Sequence, residues 1–276
     1  MNDSIDHGTY IFLASNLEKS FSKLLCFLID DTVLLDQIRV NYNLPSKLSH
    51  HLLVLKNFEI FIVCDDSGSM TTRVDSTRNT RWDELCVIVK TILKIAILFD
   101  LNGVDINFLN RGVYSKIRNP SQVDQAFKKQ PAGYTPLVPV LRKIFQHPKA
   151  QPGREKKLLV IVATDGKPTN DDGDEIVDEL EDLMRHTRNA ETTHVSFLLC
   201  TDEPKCVDYL RRWDQTMTNV DVTDDYTTES KRIRECQENE NYEFTYSDYI
   251  IKALIGSIVP DVDYLNERRV ETVSRM

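Results

Sequence analysis

The segment "FIVCDDSGSM", residues 61–70, follows four apolar positions with two aspartates, two serines and a glycine. Asp65, Ser67 and Ser69 alternate along it, so all three side chains can turn toward one point, with Gly68 permitting a tight turn. A hard divalent cation such as magnesium takes about six oxygen ligands at roughly 2.0–2.1 Å and keeps some of its waters. Hydroxyls supply such oxygens without adding charge. Two further polar interruptions stand beside this one: "AGYTPL", which carries Thr135, and "ATDGKPT", which carries Asp165. The plainer reading is that the aspartates end strands and cap helices, while the serines are ordinary loop residues.

These residues need a frame to bring them together. After residue 56 the pattern alternates between short β-branched runs and long amphipathic segments, which predicts an α/β fold with a doubly wound, mostly parallel sheet flanked by helices. Central strands are expected at 58–64, 104–110, 157–164 and 194–201, with an edge strand at 219–223. Helices are expected at about 80–100, 121–129, 136–147, 173–189, 203–217 and 246–258. In such sheets ligands bind outside the carboxyl ends of the strands, where the strand order reverses. All three polar interruptions flank predicted strands or the loops joining them to helices.

The first 56 residues read differently. "SNLEKSFSKLLCFL" opens with Ser15 and Glu18 in a capping-box pattern and spaces Leu17, Phe21, Leu24, Leu25 and Leu28 helically. "TVLLDQIRV" and "SKLSHHLLVLK" read as two more helices, giving a helical N-terminal extension over 1–56, a main domain over 57–258 and a tail over 259–276. The extension either covers the core of the main domain or forms a separate partner-binding module.

A chain of 276 residues, 41% of them hydrophobic, has enough apolar side chains for a substantial core. The longest aliphatic run, "LLVIVA" at 158–163, falls far short of the ~20 apolar residues of a membrane-spanning helix, and the first residues lack the basic start of a secretory signal. The six cysteines form no C-x-x-C pair and read as thiols in a reducing compartment, so an intracellular, cytoplasmic protein is expected. A net charge of −9 argues against a general nucleic-acid binder.

The trio of D-x-S-x-S at Asp65, Ser67 and Ser69, a threonine in a G-x-T-P turn at Thr135 and an aspartate in T-D-G at Asp165 resembles the metal-ion-dependent adhesion site of the von Willebrand factor A-type domain. The resemblance spans roughly residues 57–258. It implies a Rossmann-like fold and one magnesium or manganese ion. Ser67 and Ser69 would contact that ion directly, and Asp65, Thr135 and Asp165 directly or through water. With only Asp65 and Asp165 as anions, the ion stays electrophilic and accepts one more carboxylate, an aspartate or glutamate donated by a protein partner. The implied function is metal-dependent protein binding without catalysis.

Flanking residues shape that expectation. Arg73, Arg78 and Arg81 fall on or near a loop by the site, placed to greet an acidic partner, since Thr80 and Asp83 give the following helix its capping signal. Asp171, Asp172, Asp174 and Glu175 follow Asp165, where they either repel such a partner, hold a second cation or mark a helix N-terminus. Asp66, at the variable position of the motif, is expected in a loop or outer role. Adjacent His50 and His51 cannot face one point on a helix, and Cys64 alternates into the core. The rival reading is a magnesium-dependent phosphohydrolase. The haloacid dehalogenase-like pattern needs D-x-D at this strand end, and here the third position is Ser67.

Overall fold

The computed structural model describes residues 30–41, 47–74, 78–100, 102–201 and 203–268. The helix expected at 15–28 and the tail beyond 268 lie outside the described residues. The chain divides into two compact units, Met1–Asn43 and Leu44–Met276. Within the first, a helix α1 spans Asp31–Asn41.

The second unit is built on a six-stranded sheet of order β3-β2-β1-β4-β5-β6, mostly parallel and flanked by helices. Its strands are β1 (Phe58–Cys64), β2 (Val104–Phe108), β3 (Gly112–Ile117), β4 (Lys157–Thr164), β5 (Thr193–Leu199) and β6 (Val220–Thr223). Only the β2–β3 pair is antiparallel. The expected central strands and the β6 edge are present. β3 was not anticipated: its first five residues are exposed, so no buried alternation marks it in the sequence.

Helix α2 (Arg81–Phe99) connects β1 to β2 and packs on both. Thr80 and Asp83 close a capping box at its start, which fixes where Arg81 stands. Helices α3 (Ser121–Phe127) and α4 (Leu137–Phe145) lead into β4. Helix α5 (Val177–Asp182) and a π-turn (Leu183–Thr187) lead into β5, and α6 (Pro204–Thr216) into β6. Phe61, Val63, Val160, Val162 and Phe197 on one sheet face share a core with Leu141 of α4, Leu180 of α5 and Trp213 of α6. The chain closes with α7 (Tyr226–Cys236), α8 (Tyr246–Ile255) and α9 (Pro260–Asp263), of which α8 packs on β5 and β6.

The segment 49–57 is a 3-10 helix of this larger unit, packed on β1 and α8. Leu52 and Leu55, three residues apart, fall on one side of a three-residue turn, and both are buried. The helix expected from 173 begins at Val177 instead. Asn170 holds the preceding loop, its Oδ1 accepting from the backbone N–H groups of Asp172 (3.0 Å) and Asp174 (2.8 Å), and Gly173 takes a φ of +90°. The acidic run therefore forms a side-chain-bonded loop, not a helix N-terminus.

Candidate metal centre

Strand order reverses between β1 and β4, and the two carboxyl ends meet there in register, Cys64 opposite Ala163. The Asp65 N–H continues the pairing by donating to the Ala163 carbonyl at 2.9 Å. Its carboxylate is then fully used: Oδ1 accepts from the Ser67 N–H at 2.9 Å and Oδ2 from the Thr164 hydroxyl at 2.7 Å. Ser67 Oγ lies 3.0 Å from Ser69 Oγ, which donates to Asp165 Oδ1 at 2.7 Å. Asp65, Ser67 and Asp165 are buried, and Ser69 is exposed.

These spacings suit a hard cation. Two oxygens bound at right angles about 2.1 Å from an ion lie about 3 Å apart, the edge of an octahedron. The Ser67–Ser69 and Ser69–Asp165 separations match such edges. Ser67, Ser69 and Asp165 Oδ1 are thus oxygens spaced for direct contact, and Asp65, engaged at both oxygens as Asp165 is, could meet an ion directly or through water. Burial, followed by the charge of Asp165, pushes the Asp65 carboxyl up to about 6, against the hydrogen bonds from Ser67 and Thr164. Burial and the neighbouring carboxylate thus disfavour the charged form of Asp65, which a nearby cation would favour.

Thr135 reaches the same rim through its loop. The Ala132 N–H donates to the Asp66 carbonyl at 2.8 Å and the Gly68 N–H to the Gly133 carbonyl at 3.0 Å. Thr135 itself donates its N–H to Thr169 Oγ1 and accepts from the Thr169 N–H at its carbonyl, both at 2.9 Å. Glycine's freedom is needed at Gly133, where φ is +106° and a Cβ would stand 2.7 Å from Asn110 Oδ1. At Gly68 it is not needed: φ there is not positive, and a Cβ would meet nothing closer than 3.8 Å.

Asp66 is tied firmly into the neighbouring loop. Its Oδ1 accepts from the backbone N–H (2.7 Å) and side-chain amide (3.1 Å) of Asn110, and Arg111 Nε lies 2.7 Å from Oδ2. Arg111 in turn donates to the carbonyls of Ala126, Lys129 and Gln130, so Asp66 anchors the approach to the Thr135 loop.

Of the three arginines expected beside the site, one departs from expectation. Arg73 and Arg78 are exposed, but Arg81 Nη1 pairs with Asp165 Oδ2 at 2.9 Å and Nη2 donates to Thr201 Oγ1 at 2.8 Å. Arg81 is therefore engaged within its own chain. In the acidic loop Glu175 pairs with Lys167 at 2.6 Å, and Asp174 accepts from the Asn170 amide. Sequence reading also missed Thr164, Thr169 and Asn110. Thr164 alone left a signal, a hydroxyl ending an otherwise apolar strand. Cys64, Cys86, Cys200, Cys206 and Cys236 are free, and burial pushes the Cys64 thiol well up, in keeping with packing. No helix among the described residues is long and apolar enough to cross a membrane. No known protein-family model matches the chain, and no curated protein matches it.

Proposed function

We propose that this is a von Willebrand factor A-type domain whose rim site binds one magnesium or manganese ion and, through it, an aspartate or glutamate of a protein partner. One observation carries the reading: Ser69 Oγ lies 3.0 Å from Ser67 Oγ and 2.7 Å from Asp165 Oδ1, near octahedral-edge spacing, at the point where strand order reverses. A divalent ion there supplies Lewis acidity toward a carboxylate. The chain's own residues do the rest. Ser67 and Ser69 offer neutral oxygens, Asp165 one charged oxygen, Asp65 and Thr164 hold the loop, and Thr135 closes the rim from its own loop. Few anions leave the ion short of negative charge, and a partner carboxylate entering a partly dry interface supplies it. The free thiols fit an intracellular setting.

A pull-down from native extract tests the reading, with the wild type in magnesium, the wild type in chelator, and Ser67→Ala/Ser69→Ala. Partners are expected in the first arm alone. Equal capture in all three overturns it, and turnover of phosphate esters by the magnesium-loaded protein would put a hydrolase in its place.

A further inference from the structure

The wild-type site holds a cation of its own, and its placement bears on how tightly a metal binds. Arg81 is the first residue of α2, and its N–H donates to the Thr72 carbonyl at 3.0 Å, so its backbone is fixed from both sides. Its side chain is only 12% exposed and Asp165 is fully covered, which makes this a largely desolvated pair instead of a mobile surface contact. Each Asp165 oxygen has a partner, Oδ1 the Ser69 hydroxyl and Oδ2 the guanidinium.

We propose that Arg81 is a resident counter-cation that lowers the metal affinity of this site and makes it depend on the partner's carboxylate. The inference rests on the metal-binding reading above. Asp65 and Asp165 together present two negative charges, and Arg81 leaves one net charge for a doubly positive ion. Guanidinium and metal ion also repel across the carboxylate they share. A partner carboxylate restores the missing negative charge, so ion and partner bind cooperatively. The arginine has somewhere to turn: Thr201 already accepts from Nη2, and Glu203 Oε1, on a side chain 63% exposed, lies 3.5 Å from the same nitrogen. A side-chain rotation toward Glu203 releases Asp165 Oδ2 without moving α2.

The test is calorimetric titration of Mn2+ into the metal-free full chain, comparing wild type, Arg81→Lys, Arg81→Met and Ser67→Ala/Ser69→Ala. Removing a positive charge a few ångströms from a divalent ion should tighten binding about tenfold or more in Arg81→Met. Arg81→Lys should stay near wild type, and the double serine variant should lose the site. Melting temperatures give a second readout. Metal-free Arg81→Met should melt below wild type, because Asp165 loses its partner, and Mn2+ should raise its melting point more than it raises the wild type's. A merely structural arginine would lower both melting points equally. If Arg81→Met does not fold, Arg81→Gln, which keeps donors for Thr201, carries the same comparison. Binding by wild type that is equal to or tighter than binding by the variant overturns the role of Arg81 alone. Absence of a site in both folded proteins overturns the metal reading and this inference with it.

Discussion

At the rim beyond β1 and β4, where Asp65 and Asp165 lie close, Asp165 is met by a guanidinium that reaches in from the start of α2. Beside β6, Asp221 and Glu229 are met by the ammonium of Lys252, wholly buried on α8, at 2.6 and 3.8 Å. The ingredients are alike, buried carboxylates and one cation, but their exchangeability differs. Lys252 cannot leave without uncovering buried charge, and burial, which alone would depress it, is outweighed by Asp221, Glu229 and Asp214, which hold it above the usual lysine range. The Gly256 backbone also lies directly against the Asp221 carboxyl, leaving no room there for a Cβ. Asp214, Asp221 and Asp263 bring oxygens within 4.8 Å of one another, yet this cluster already owns its cation. On the proposed reading, the two groups of acids differ in whether the compensating charge can be exchanged.

The sharpest way to break the comparison is Lys252→Met. Stranding Asp221 and Glu229 should cost about 3–5 kcal/mol in denaturant unfolding, with no rescue by magnesium. A loss below about 1 kcal/mol would show that the cluster relaxes by protonation or hydration and that the lysine is dispensable. Asp66→Asn comes next. It leaves Arg111 without its carboxylate and should cost about 2 kcal/mol, and by loosening the loop to Thr135 it should weaken metal binding in calorimetry. Unchanged metal affinity would detach that loop from the site. Thr164→Val removes one hydrogen bond to Asp65 and should cost about 1–2 kcal/mol while the Ser67–Ser69 spacing persists. Retained metal binding in this variant would show that the Thr164 bond is not needed to hold the site.

A further expected effect is alkaline. Burial, then the charge of Asp221, pushes Asp214 up to about 8 and Asp263 up to about 9 from the ordinary 3.8. The folded state holds these protons longer than the unfolded state. The stability they contribute is therefore full below about pH 4, falls as pH rises and is gone above about 9. Melting temperature should decline from pH 6 to 9 in the wild type and decline less in Asp263→Asn. A wild-type melting point that rises over this range would contradict the retention of these protons in the folded state.

Much of this frame is readable from local pattern. Apolar runs such as "FEIFIVC" and "KLLVIVAT" become β1 and β4 because strands buried on both faces carry continuous apolar residues. Elements whose partners are charged left no such trace. Helix α7 buries Glu229, Ser230 and Ile233, so its inner face is largely polar and carries no apolar stripe. β3 escaped for the opposite reason, being exposed along most of its length.

The sequence by itself determined which oxygens could form the site: Asp65, Ser67 and Ser69 are spaced within one loop, and Thr135 and Asp165 each punctuate a strand or loop end. Their mutual placement, and which charges oppose them, came from the tertiary structure. Arg81 meets Asp165 across 84 residues and Lys252 meets Asp221 across 31. Periodicity and turn chemistry act over a few residues and so are written locally, whereas the partner of a buried charge depends on which strands the sheet sets side by side.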